Sequence, residues 1–124
     1  MNFATILQEI VDGCGGGLAA ALMGADGIPI EQVKASGKVD ESLDGEVDVL
    51  GVEFGRILEE IRKASDSVAG GALEEVSVRL ANFWVLMRVV DGETYLVLAM
   101  EPNGNPGKAR FLMRRRLMAL REEL

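Results

Sequence analysis

The sequence predicts an α+β fold whose elements follow the order αββαβββα. Apolar residues recur at helical steps near the start, in the middle and at the end of the chain. Between these segments lie five short apolar or alternating stretches, bounded by turn residues such as glycine, asparagine and aspartate, as in strands joined by tight turns. The 124 residues contain neither an internal repeat nor a linker, so we expect one domain spanning residues 1–124.

The first three elements are a short helix and a β-hairpin. The helix presents one apolar face and ends at the glycines that begin with Gly13. An apolar strand then runs from Leu18 to Met23, a glycine-rich turn follows, and a second strand runs from Ile28 to Val33. Pro29 favours an edge position for this second strand, because proline has no amide hydrogen to donate. Residues 34–46 are polar and acidic and predict a solvated loop, with Asp44 as the N-cap of the next helix.

The second helix is predicted from Val47 to about Val68. Its apolar stripe comprises Val47, Leu50, Phe54, Ile57, Ile61, Ala64 and Val68. Gly51 and Gly55 lie four residues apart, and they would let another backbone come close. Two interpretations are open: the helix contacts both its own sheet and a partner's helix, or it is a core helix packed on one sheet.

The second half of the chain predicts an antiparallel meander followed by one last helix. Strands are expected over Glu75 to Leu80, Phe83 to Val90 and Thr94 to Met100, with turns at Ala81-Asn82 and Asp91-Gly92. The last helix is predicted from about Gly107. It places apolar residues at helical steps through Ala109, Leu112, Met113, Leu117 and Leu120.

The residue types exclude several kinds of chemistry. There is no histidine and only one cysteine, Cys14, so neither a histidine-dependent catalytic triad nor an ordinary zinc site can form. We therefore expect no enzyme, no cofactor and no bound metal. The glycines around Cys14 resemble a phosphate-binding loop only loosely, because they follow a helix and lead into a strand. Arg79 and Arg88 lie on predicted strands, where a solvated charge is commoner than a finger that reaches a neighbour's phosphate.

The charge distribution bears on location and partners. A net charge of −7 argues against nucleic acid and anionic membranes as general partners. Residues 108 to 124 nevertheless hold six basic and two acidic residues, a charge of +4, which leaves −11 for the rest of the chain. This basic end could meet an acidic partner. The start lacks the features of a signal peptide, and no apolar run has the length of a membrane span, so a cytoplasmic location is expected.

Two segments carry a resemblance to a known family. The stretch from Gly17 to Ile30 combines a small apolar strand, an Asp-Gly turn and an apolar-Pro-apolar continuation. The second segment begins with Asp91-Gly92 and the strand residues 95–99. It continues to the Gly-Lys-Ala-Arg run at residues 107–110. Together they resemble the roadblock/dynein light chain domains, over essentially the whole chain. The resemblance implies a profilin/roadblock-like fold, with a five-stranded antiparallel sheet, the second helix on one face and the terminal helices on the other.

The resemblance also implies a homodimer with a continuous ten-stranded sheet, paired through the second helix and the third strand. The residues that match this interface are Leu50, Gly51, Phe54, Gly55, Ile57, Ile61, Val76, Val78 and Leu80. The chain looks most like prokaryotic stand-alone members, similar to the bacterial gliding-motility partners that activate a Ras-like small GTPase. A non-catalytic regulatory or scaffold module that binds such a GTPase is the function implied. The charged helix residues that we expect near this partner are Glu53, Arg56, Glu59, Glu60 and Lys63.

A second function is compatible with the same fold. A five-stranded sheet with flanking helices can enclose a pocket, so the chain could be a small-molecule sensor. A pocket of ligand size, lined by convergent polar groups, would favour this alternative.

Overall fold

The computed structural model describes residues 2–37 and 46–124. It confirms the α+β class and the five-stranded antiparallel sheet. The elements in chain order are α1 Phe3–Gly13, β1 Gly17–Gly24, β2 Pro29–Lys34, α2 Glu46–Ser67, β3 Glu75–Arg79, β4 Trp84–Val89, β5 Thr94–Met100, α3 Pro106–Arg115 and α4 Leu117–Glu123. The expected N-cap Asp44 and most of the expected acidic loop lie outside the described residues. Pairing of two copies into ten strands stays a prediction.

The strands lie in the order β2-β1-β5-β4-β3, and every neighbouring pair is antiparallel. The hairpin β1–β2 is joined to the meander β3–β4–β5 through the long β1–β5 pair, which runs from Gly17 opposite Met100 to Gly24 opposite Thr94. Strands β2 and β3 therefore form the two edges of the sheet. The edge position expected from Pro29 is confirmed, because β2 pairs only with β1.

One face of the sheet, which we call the closed face, is covered by α1, α3 and α4. The apolar residues of α1 and the core positions of α3 and α4 pack there against alternate residues of β1, β4 and β5. The fully buried members include Ile6, Leu7, Ile10, Leu22, Leu98, Met100 and Leu120. This continuous core explains why the three terminal helices are fixed to one side of the sheet.

The other face, which we call the open face, is covered by α2 and by no other helix among the described residues. The strand residues that point to this face are Ala19, Ala21, Met23, Val85, Met87, Tyr95 and Val97. Of the α2 side chains from Val49 to Ser67, which the structure describes, Leu58 alone is fully buried. Leu50, Val52 and Phe54 are half-buried against the same cluster. The helix thus lies on its sheet along a narrow line.

The last helix differs from the prediction, because it is divided in two. Asn105 caps α3 by accepting a hydrogen bond from the backbone N–H of Lys108, at 3.1 Å, and Pro106 occupies the first turn. Arg116 then interrupts the helix with φ −95° and ψ 0°, and its guanidinium pairs with Glu9 of α1. After this break, α4 places Leu117 and Leu120 in the closed-face core. The single helix expected from periodicity is therefore replaced by two segments anchored to α1.

The glycines after α1 have a structural task. Gly15 and Gly16 adopt positive φ angles of 73° and 100°. Their carbonyl oxygens accept hydrogen bonds from the backbone N–H groups of Asn105 and Glu101, at 3.1 and 2.8 Å, so this loop holds the connection between β5 and α3. It therefore presents carbonyl oxygens to a neighbouring loop of the chain.

Within the described residues, no helix combines the length and apolarity that a bilayer span requires.

Candidate interaction surface

An apolar stripe on the outer side of α2 remains partly exposed. Ile57 is 45% exposed, and Val68, one residue after the end of the helix, is 76% exposed. A shallow groove of about 330 Å³ lies along this side and is lined by Arg56, Ile57, Glu60, Ile61 and Ala64. Large apolar side chains exposed in a row on one helix face are typical of surfaces that bind another protein.

Strand β3 offers a second unpartnered feature, a free edge. At the two ends of its ladder with β4, Val89 N–H donates to the Glu74 carbonyl and Leu80 N–H donates to the Phe83 carbonyl, each at 2.9 Å. Bonded pairs alternate along an antiparallel ladder, so Val76 and Val78 also direct their backbone groups to β4. The backbone groups of Glu75, Ser77 and Arg79 therefore point away from the sheet. An exposed strand edge of this kind is a template for another strand.

The positions of Gly51 and Gly55 differ from the prediction that a partner's backbone approaches them. Both glycines face the chain's own sheet. A Cβ atom at Gly51 would lie 2.8 Å from Sδ of Met23, and one at Gly55 would overlap the Tyr95 hydroxyl. That hydroxyl donates a hydrogen bond of 2.6 Å to the Gly51 carbonyl. The space that the two glycines leave beneath α2 is thus occupied by side chains of β1 and β5. A close approach by a partner's backbone does not explain these two residues.

The other predicted interface residues divide into two groups. Leu50 and Phe54 are half-buried against the chain's own open-face cluster, whereas Ile57 is exposed and Ile61 is partly exposed on the outer side. On β3, Val76 and Val78 point to the open face and are half-buried, and Leu80 lies one residue after the strand with 38% exposure. Their participation in a dimer interface stays a prediction.

The five charged residues expected near a partner all lie on exposed parts of α2. Glu53 and Arg56 approach to 3.8 Å, and Glu60 and Lys63 to 3.2 Å, both pairs at three-residue spacing. Glu59 pairs with Arg62 at 2.9 Å. Arg56 and Glu60 also line the outer groove. Exposed pairs of this type stabilise a helix only slightly, so their charges are available for exchange with a partner.

A cleft that the sequence did not reveal lies at one end of the sheet. This arginine cleft has a volume of about 510 Å³, and it brings together three arginines, Arg62, Arg88 and Arg121, with three carboxylates, Asp66, Glu74 and Asp91. The Nε atom of Arg88 is buried and makes no hydrogen bond within the described residues. Arg121 donates from Nε to the Val90 carbonyl at 2.6 Å. The three arginines are far apart in the sequence, and no spacing rule could have joined them.

The remaining reactive candidates are held within the chain. The Arg79 guanidinium lies 4.7 Å from the centre of the Trp84 ring, and Arg88 approaches Glu75 to 3.9 Å. Burial raises the pKa of the Cys14 thiol, which donates a weak hydrogen bond to the Val11 carbonyl at 3.5 Å. This keeps the thiol protonated and unreactive near neutral pH. Over residues 2–37 and 46–124, no cluster of three or more cysteine or carboxylate side chains is arranged to hold a metal ion.

The five-stranded sheet, with α2 on one face and the terminal helices on the other, defines a roadblock-type domain. Three solved structures support this definition. MglC from Myxococcus xanthus is 33% identical, each chain covers 100% of the other, and the TM-score is 0.70. A Roadblock/LC7 domain from Streptomyces avermitilis, at 15% identity, has a TM-score of 0.81 over 98% of this chain and 97% of that one. The gliding protein MglB from Thermus thermophilus, at 16% identity, has a TM-score of 0.80 over 94% and 83%.

The chain belongs to the roadblock/LC7 family. The likeness to MglC carries this assignment, because it combines one-third identity with complete coverage of both chains. The other two structures share the fold. No family model matches the chain, and no curated protein gives a significant match.

Proposed function

We propose that the chain is a homodimeric, non-catalytic regulatory module that binds a Ras-like small GTPase. The observation that carries this proposal is the combination of the exposed apolar stripe of α2 with the free edge of β3. Both features belong to the open half of a roadblock domain, and the family resemblance assigns dimer formation to the same two elements. The likeness to MglC and to a gliding protein supports a role in motility or polarity.

The β3 edge suggests how two copies would pair. The outward backbone groups belong to Glu75, Ser77 and Arg79, so an antiparallel pair of β3 strands centred on Ser77 uses all of them. In this register Glu75 lies opposite the partner's Arg79, and opposite charges at such positions stabilise a sheet. The same register sets Val76 against the partner's Val78 on the open face.

The α2 stripe would complete such a dimer. Joining two β3 edges brings together the two open faces, and the exposed Ile57 and Ile61 supply apolar area near the new seam. A stable interface buries roughly 800 Å² on each partner, which a strand and a helix face of this length can provide. MglB has been solved in a tetrameric arrangement, which supports self-association within this group of folds.

The charged residues of α2 are the proposed contact with the GTPase. Glu53, Arg56, Glu59, Glu60 and Lys63 remain exposed beside the outer groove. Because Arg79 and Arg88 already make contacts within the chain, neither is free to enter a nucleotide site without breaking them. The proposal is therefore a regulator that positions the GTPase's own catalytic residues and contributes no arginine finger.

The experiment is calorimetry between the native chain and the Ras-like GTPases encoded in the same genome, each loaded with GDP or with a non-hydrolysable GTP analogue. We expect one GTPase to bind preferentially in one nucleotide state. Glu60→Arg should weaken this binding about tenfold, through lost charge complementarity. Glu93→Arg, an equal charge reversal on an exposed turn residue outside α2, is the matched control and should change it less than twofold. Absence of nucleotide-dependent binding would contradict the proposal.

The arginine cleft supports a second candidate, a small-molecule sensor. Its volume of about 510 Å³ falls in the range of ligand pockets, and its three arginines and three carboxylates would suit a small polar ligand. Titration with inorganic phosphate and with succinate tests this function. Saturable binding that Arg88→Gln abolishes would favour the sensor, whereas equal heats for native and variant chains would exclude it.

A further inference from the structure

The exposed side of α3 and α4 forms a surface, which we call the basic face, that the proposed function does not use. It consists of Lys108, Phe111, Arg114, Arg115 and Met118. Phe111 is 60% exposed and Met118 is 69% exposed, and they stand seven residues apart, about two helical turns. The exposure pattern continues across the break at Arg116. Two large apolar side chains are thus set among three cations.

The basic residues of this segment fall into two classes. Arg110, Arg116 and Arg121 turn inward: Arg110 donates to Ser77 Oγ at 2.9 Å, Arg116 pairs with Glu9, and Arg121 donates to the Val90 carbonyl. Lys108, Arg114 and Arg115, in contrast, form no ion pair with any residue that the structure describes. The outward cations therefore keep their charges free of carboxylate partners among the described residues.

The inward contacts make the basic face a fixed platform. Asn105 caps the start of α3, and Glu75 lies 3.6 Å from the Arg110 guanidinium, so the helix is tied to β3. Ala109, Met113 and Leu117 anchor its other side in the closed-face core. A partner would meet a helix whose backbone is already fixed, which lowers the entropy lost on binding.

We propose that the basic face binds an acidic amphipathic helix of a partner protein. Carboxylates on such a helix would pair with Lys108, Arg114 and Arg115, and its apolar residues would cover Phe111 and Met118. Charge complementarity favours this partner, since Lys108, Arg114 and Arg115 present three positive charges that pair with no carboxylate among the described residues. At physiological salt, charges farther away than about 8 Å are largely screened, so a short acidic helix responds mainly to the local cations.

A membrane is a poorer fit to the same face. An anionic bilayer is an extended charged plane, and binding to it draws on clusters of about four to eight basic residues. Here three free cations are followed in the sequence by Glu122 and Glu123, and the chain as a whole carries a net charge of −7. An acidic peptide avoids the repulsion that a bilayer would meet from the rest of the molecule.

The basic face and the proposed dimer surface lie on opposite sides of the sheet. Helices α3 and α4 cover the closed face, whereas α2 covers the open face. One molecule could therefore hold a GTPase beside α2 and an acidic protein on α3–α4 at the same time. This arrangement makes the chain an adaptor as well as a regulator.

The test uses the full native chain and a synthetic helical peptide with leucines at helical spacing flanked by glutamates. Calorimetry should detect binding that weakens at least tenfold when ionic strength rises from about 0.05 to about 0.5 M. Arg115→Glu should weaken it about tenfold, and Phe111→Ser several-fold. Lys63→Glu, an equal reversal on α2, is the matched control and should alter affinity less than twofold. Circular dichroism checks that each variant is folded, and Arg115→Gln replaces the reversal if it is not.

Three results would overturn the proposal. The first is that the native chain fails to bind the peptide. The second is that Arg115→Glu weakens binding no more than Lys63→Glu does. The third is that the native chain prefers vesicles made of equal parts phosphatidylserine and phosphatidylcholine to the peptide, and that Arg115→Glu abolishes this preference. The last outcome would assign the face to a membrane. Loss of binding when the peptide leucines are changed to serine would support the role of Phe111 and Met118.

Discussion

The two faces of the sheet are built from similar strands, but their helices complete them to different degrees. On the closed face, α1, α3 and α4 bury side chains such as Ile10, Leu98 and Leu120 completely. On the open face, α2 buries Leu58 and leaves Ile57 substantially exposed. The apolar side chains of the closed face are therefore buried within a single copy of the chain. The open face retains apolar surface together with a free strand edge, which is what a second copy could cover.

The comparison also separates two roles for apolar residues on one helix. The side of α2 that meets the sheet is narrow, with glycines where Met23 and Tyr95 come close. The outer side carries isoleucines that contact nothing in the sheet cluster. We therefore expect closed-face substitutions to reduce the stability of the fold, and substitutions on the outer side of α2 to alter association.

The largest effect should come from the closed face. Leu98→Ala removes a fully buried side chain from the centre of the sheet and should lower the free energy of unfolding by about 3 kcal/mol. Urea unfolding measures this loss. Ile57→Ala, which shortens a side chain that is exposed in the isolated fold, should cost less than about 1 kcal/mol at protein concentrations low enough for both chains to be monomeric. Equal losses for the two variants would show that the faces do not differ as we describe.

A smaller effect is expected beneath α2. Gly55→Ala places a methyl group against the buried Tyr95 hydroxyl, which cannot move away freely. The helix gains about 1 kcal/mol from alanine, but the displaced contact and the strained hydrogen bond should outweigh it, leaving a net loss of about 1–2 kcal/mol. If Gly55 faced a partner instead, urea unfolding would show little change in the isolated fold, and solution mass would fall.

The hydrogen bond of Tyr95 gives the smallest effect and a pH signature. Tyr95→Phe removes the bond to the Gly51 carbonyl and should cost about 1 kcal/mol near neutral pH. Burial raises the pKa of Tyr95 in the folded state. Native stability should therefore be intact below the ordinary tyrosine pKa of about 10 and should decline as pH rises towards the raised value. Urea unfolding across this window should show a shallower decline for Tyr95→Phe, and parallel curves would contradict the assignment.

The elements themselves could be predicted because their signals are local. The Asp91-Gly92 turn and the apolar run after it predict β5 with the bounds that the structure has, and Pro29 predicts an edge. The side chains that contact Gly51 and Gly55 could not be predicted. Their spacing indicates a close approach, but the side chains that make it come from β1 and β5, and no local pattern names them.

Other features depend on residues that folding alone brings together. The break at Arg116 accompanies an ion pair with Glu9 of α1, which helical periodicity does not register. The arginine cleft joins residues 62, 88 and 121. For the basic end, the sequence predicts the charge, whereas the division into inward and outward cations requires the packed helices. Composition therefore indicates the charge of a partner, but it does not locate the surface that binds this partner.

The central claim is that a second copy completes the open face, and the solution mass by light scattering tests it most directly. The native chain should have twice its chain mass of 13.3 kDa. Ile57→Glu, which puts a charge on the outer stripe without entering the core, should give a folded monomer. Met118→Glu, at a more exposed apolar position on the basic face, should remain a dimer. A monomeric native chain, or a dimer that survives Ile57→Glu, would contradict the account.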